Sequence, residues 1–155
     1  MEKETKFIAV DGAKILACGM SGSEWKKLSR TSRSLLRGWW LVASKDIPSD
    51  VEKRLREDRG VQSVFTSSET FIVTYPEIRI EESRRENADL FLDWLDKNKD
   101  TVNILEESDE KWLIEPKSGS GEEAMELAEE IKRHVDLQLC QSRFVRIVKG
   151  RAVKE

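Results

Sequence analysis

A chain of 155 residues with a hydrophobic fraction of 38% and five tryptophans is long enough to bury one ordinary core, and its two cysteines are too few for a disulfide framework. Charged residues make up 37% of the chain and the net charge is −3, which sets it apart from the strongly basic domains dedicated to nucleic acids. The balance is uneven, because residues 1–60 carry 13 basic and 9 acidic side chains and the acidic excess lies after them.

The opening MEKETKF lacks the apolar core of a signal peptide, and no run approaches the roughly 18 apolar residues of a membrane span. Cys18 and Cys140 lie in apolar runs, as buried thiols do. The expectation is a cytoplasmic protein without membrane contact.

Phe7–Val10 and Ile15–Cys18 are apolar runs around Asp11-Gly12, which predicts a hairpin. From Ser23 the spacing predicts an amphipathic helix to about Arg37, capped by Ser21 or Ser23. Trp25, Leu28, Leu35 and Leu36 lie near one stripe, and Lys26, Arg30, Arg33 and Arg37 lie on another. Gly38 ends that helix, and Trp39–Ala43 reads as a buried strand. Ser49 and Glu52 form a capping box for a peripheral helix anchored by Val51 and Leu55 and stopped at Gly60. Strands are predicted over Val61–Thr66 and Thr70–Tyr75, the second ended by Pro76.

A second capping box, Ser83 with Glu86, opens a helix whose face holds Ala88, Phe91, Leu92 and Leu95, broadened by Leu90 and Trp94. Val102–Leu105 and Lys111–Glu115 form a strand pair closed by Pro116, and 117–121 is a flexible Gly/Ser connection. A helix over Glu122–Leu139, a strand over Phe144–Val148 and a frayed tail from Gly150 to Glu155 complete the chain. Residues at an offset of forty match in character, giving αββ units at about 49–76, 88–116 and 122–148. The whole, 1–155, reads as a single α+β domain with a mainly antiparallel sheet and helices packed on a face. Within it, about 38–107 has the βαββαβ order of a ferredoxin-like unit, extended by the N-terminal hairpin plus helix and the C-terminal helix plus strand.

Chemistry is concentrated in the basic stripe. Lys26, Lys27, Arg30, Arg33 and Arg37 suit phosphate neutralisation, and arginine suits bidentate phosphate contact, so RNA or DNA is one expected partner. A charged stripe opposite an apolar one is also the ordinary face of a surface helix, and the same cations suit an acidic protein partner or the chain's own acids. If the βαββαβ unit were an RNA-recognition-type sheet, Trp40 (or Trp39), Phe71 and Tyr75 would be its stacking rings. Its third-strand signature is missing, however, since Glu69, Thr70 and Phe71 stand there, and core burial is the competing reading.

Trp25, Trp94 and Trp112 read as core or interface. Ser118–Gly121 leads into a helix, but Glu122 and Glu123 in the first turn repel an anion. His134, the sole histidine, has no cysteine at ligand spacing, and the acids Glu106, Glu107, Asp109 and Glu110 lack the spacing of a calcium loop. No metal, cofactor or catalytic group is expected. The expectation is therefore a non-enzymatic binding module for nucleic acid, RNA more than DNA. A protein-interaction or regulatory subunit, using the same helix or a Trp-rich surface, is the alternative.

Overall fold

The computed structural model describes residues 2–149, so the tail expected to fray lies outside the described residues. After β1 (Glu2–Lys3), the first apolar run forms β2 (Phe7–Asp11). Asp11 does not turn the chain back into a hairpin. Its carboxylate accepts a hydrogen bond from the Ala13 N–H at 2.9 Å and caps a one-turn helix, α1 (Gly12–Ile15), which buries Ile15. A short side chain that bonds its own backbone competes with the ladder, so Ile15–Cys18 never becomes a strand.

The basic helix is shorter than its periodicity implies. α2 (Gly22–Arg30) opens on a complete capping box, in which the Glu24 N–H donates to Ser21 Oγ at 3.2 Å and the Ser21 N–H to Glu24 Oε1 at 3.1 Å. It stops at Arg30 because the Thr31 and Ser32 hydroxyls both donate to the Leu28 carbonyl, at 3.1 and 2.8 Å, taking the acceptor that a further turn would use. β3 (Arg33–Ser34) follows, then a turn over Leu36–Gly38 in which Arg37 and Gly38 take left-handed φ values of 57° and 81°.

β4 (Trp39–Ala43) is the strand expected there. α3 (Ser49–Glu57) is capped at Pro48, so Ser49 lies inside the helix and not at its cap. It buries Val51 and Leu55, and β5 (Val61–Gln62) closes a sheet of order β3-β4-β2-β5. One core follows from this arrangement: Ile8, Val10, Ile15, Leu28, Val42, Val51 and Leu55 pack together, with Trp25, Trp40 and Val61 at its margin.

A second sheet has the order β1-β6-β7-β9-β8, with β10 also paired to β7. Its strands are β6 (Val64–Thr66), β7 (Thr70–Glu81), β8 (Val102–Glu107), β9 (Lys111–Pro116) and β10 (Leu139–Val148). β7 runs straight through Pro76. That residue falls between the stretch paired with β6 (Phe71–Val73) and the stretch paired with β9 (Ile78–Glu81), so neither of those ladders needs its missing N–H.

The described residues form two compact units, one of 2–73 together with 144–149, the other Thr74–Arg143. In the second, α4 (Arg85–Lys97) and α5 (Gly121–His134) bury Phe91, Trp94, Leu95, Ala124, Ala128 and Ile131 against Ile78, Ile80, Trp112 and Ile114. Leu90 and Leu92 remain 52% and 42% exposed, because a helix on a sheet covers only one stripe. The Ser-Gly segment is the cap of α5: Ser120 Oγ accepts from the Glu123 N–H, and a Cβ on Gly121 would lie 2.5 Å from Thr74 Oγ1. α5 ends at His134, since Val135 is already extended.

The fold is α+β with antiparallel sheets. The order β4-α3-β6-β7-α4-β8 is that of the expected βαββαβ run, but β4 belongs to the first sheet and β6, β7 and β8 to the second. The four strands therefore make no single ferredoxin-like sheet.

Candidate nucleic-acid interface

At about 100° per residue, Lys26, Lys27 and Arg30 fall within one sector of α2, with the buried Leu28 on the far side. All three side chains are exposed, and among the described residues none makes an ion pair. The helix's one acid, Glu24, is committed to the cap, and its hydrogen bonds with Ser21 hold its carboxyl below the usual value. The three cations thus form a patch that no residue of their own helix neutralises.

Arg33 and Arg37 do not continue the ridge. Register places Arg33 opposite Leu41 and Ser34 opposite Trp40. Trp40 and Val42 face the core that Leu28 enters, so Arg33, one residue out of phase, lies on the other face of the sheet from α2. Arg37 sits in the β3–β4 turn in a left-handed conformation, a consequence of the helix ending seven residues earlier than expected. The five cations singled out in the sequence therefore divide into a helical patch of three and two further arginines on a hairpin.

The aromatic candidates divide as well. Phe71 is 6% exposed, its ring 5.2 Å from that of Phe7, with Lys149 Nζ 5.1 Å from its centroid; Tyr75 is 1% exposed and Trp39 9%. Packed rings leave no open face for a base. Trp40 is half-buried and meets the half-buried Trp25 edge-on, with centroids 5.4 Å apart and planes at 84°. Its indole Nε1 would lie 2.8 Å from a Cβ at Gly12, so glycine is what lets the ring close over the start of α1. A cleft of about 420 Å³ beside α2 is lined by Met20, Glu24, Lys27, Leu28, Thr31 and Asp46. Its two carboxylates make it a poor seat for an anion, which leaves the outer face of α2 as the cationic surface.

Elsewhere the charged groups serve the fold. Glu82, 1% exposed, accepts from Arg84 Nε at 2.8 Å and Nη2 at 2.9 Å, and from the N–H groups of Arg84 and Gln138, each at 2.9 Å. These bonds, led by the Arg84 guanidinium, pull its carboxyl down to about 2. Ser83, expected to cap α4, instead donates from Oγ and N–H to Gln138 Oε1, at 2.8 and 2.7 Å. The result is a polar clamp between the start of α4 and the segment before β10. Its only sequence signal is a glutamate two residues before an arginine, too common a pattern to single it out.

Burial raises the Cys140 thiol to about 11 and it contacts the Ala128 carbonyl at 3.6 Å, so it is an inert core group. His134 is exposed, its Nδ1 2.9 Å from the Glu130 carbonyl oxygen. Among the described residues no three His, Cys, Asp or Glu side chains converge as metal ligands, and no helix is long and apolar enough to cross a membrane. No family model, curated protein or solved structure matches the chain.

Proposed function

We propose that this chain is a non-enzymatic binding protein that holds the phosphate backbone of nucleic acid, RNA ahead of duplex DNA, on the outer face of α2. The carrying observation is the patch of Lys26, Lys27 and Arg30, exposed on one helical sector with no acidic partner among the described residues. That sector offers serines beside the cations but no asparagine or glutamine to read base edges in a major groove. Contact is then with phosphates and is independent of base sequence.

Neutralising about three phosphates on a single strand gives a log–log salt slope of about −2. Binding of the nuclease-treated protein to short labelled RNA and DNA strands across a salt series tests this. Steep salt dependence, lost in the Lys26→Glu/Lys27→Glu/Arg30→Glu variant, is the expected result; an unchanged slope in that variant removes the reading.

A second reading is favoured by the cleft beside α2, whose floor includes the buried Met20 and Leu28: the patch would dock an acidic protein segment that inserts an apolar side chain there. A partner lost on Leu28→Ala as well as on charge reversal, with no nucleic-acid binding, identifies that case.

A further inference from the structure

The second unit carries a surface that the α2 patch does not explain. Among the described residues β8 ends its sheet and is paired on one side only, with β9, so alternate backbone N–H and C=O groups along it face outward. Every residue from Asn103 to Lys111 is exposed, whereas Trp112, Leu113 and Ile114 on β9 are buried. Register explains the contrast. Ile78 pairs with Ile114 and Ile114 with Ile104, so three isoleucines form one row across β7, β9 and β8. The first two are fully buried, and the last, Ile104, is 49% exposed. The apolar row reaches the rim of the sheet and stops there with no further strand among the described residues.

The next two rows end in charge. Arg79, Leu113 and Glu106 form one, and Ile80, Trp112 and Glu107 the other. Between Ile104 and Glu106 the register shifts, which leaves Leu105, 43% exposed, unpaired. A bulge and acidic side chains are the usual means of stopping a sheet edge from pairing with its own kind, and two copies brought together here would set Glu106 and Glu107 of each near the other's acids. Charge that repels a second copy attracts the opposite sign.

We infer that the β8 edge takes an extended segment of a basic protein partner by strand addition. That segment places an apolar side chain beside Ile104, and lysine or arginine within the next two or three positions beside Glu106 and Glu107. Backbone pairing supplies affinity, and the order apolar-then-basic supplies specificity. This surface is independent of the α2 reading, and neither stands or falls with the other.

The test is selection of random short peptides displayed against the intact protein, followed by mapping of the enriched peptides on its backbone amides by NMR. The expected winners carry a branched aliphatic residue flanked by lysine or arginine, lose binding when a proline replaces a central residue, and shift the amides of Val102–Glu107. Glu106→Lys/Glu107→Lys, at two exposed positions, is expected to weaken them by about tenfold or more while leaving the remaining amide spectrum in place. Enriched peptides that tolerate proline, that bind the double variant equally well, or that shift amides elsewhere overturn the inference. So do an absence of enrichment and self-association of the protein through β8.

Discussion

α2 and α4 are both amphipathic helices, and they are used in opposite ways. α2 buries Leu28 alone and sets three cations in water; α4 buries Phe91, Trp94 and Leu95 and stacks Phe91 against Trp94 at 6.2 Å and edge-on against Trp112 at 5.1 Å. A helix that contributes one side chain to a core is free to vary the rest of its surface. A helix that contributes three large ones is held by packing, whatever its exposed face carries.

The comparison breaks most visibly in the core. Phe91→Ala should lose about 3–5 kcal/mol, read as a drop in denaturation midpoint with little change in denaturant slope, whereas a loss under 1 kcal/mol would mean that α4 is no better anchored than α2. Glu82→Gln tests the clamp that starts α4, with an expected loss of about 2 kcal/mol at neutral pH. Because the folded carboxyl is lowered, its contribution is complete above the ordinary glutamate value of about 4.3 and is lost as the pH falls from there towards about 2. The variant should therefore show a flatter loss of stability between those limits.

Ser21→Ala removes the oxygen that caps α2 and should cost about 1 kcal/mol by thermal denaturation. Lys26→Glu/Lys27→Glu/Arg30→Glu sharpens the comparison from the other side. Stability should stay within about 1 kcal/mol of the parent while binding to nucleic acid disappears, since exposed charges far from a core do little for folding.

The α+β class, the helices and most strands were legible because their apolar periodicity matches their burial. The differences share a cause: short polar side chains whose hydrogen-bond partners the spacing does not reveal. Asp11 has the spacing of a turn residue and caps α1; Thr31 and Ser32 end α2 early; Ser83 bonds Gln138 across 55 residues, and α4 has no side-chain cap. Each choice depends on which acceptor lies nearby in three dimensions, and spacing along the chain does not carry that. The same blindness stretched the basic ridge to Arg33 and Arg37. Helical phase places them with Arg30, whereas strand register turns Arg33 to the opposite face. The exposed edge at β8 was equally hidden, because Val102–Leu105 has the same apolar look whether its last isoleucine is covered or bare.

The tryptophans give the α2 patch its own optical reporter. Three of the five, Trp39, Trp94 and Trp112, are at most 9% exposed, so they are shielded from aqueous quenchers, whereas the crossed pair Trp25 and Trp40 is only partly buried. Lys26 and Lys27 follow Trp25 directly in the chain, so iodide is concentrated electrostatically where the quenchable rings are. Fluorescence in iodide therefore isolates this pair from the buried rings without a label, and any anionic molecule that settles on α2 announces itself by displacing the halide and brightening the emission.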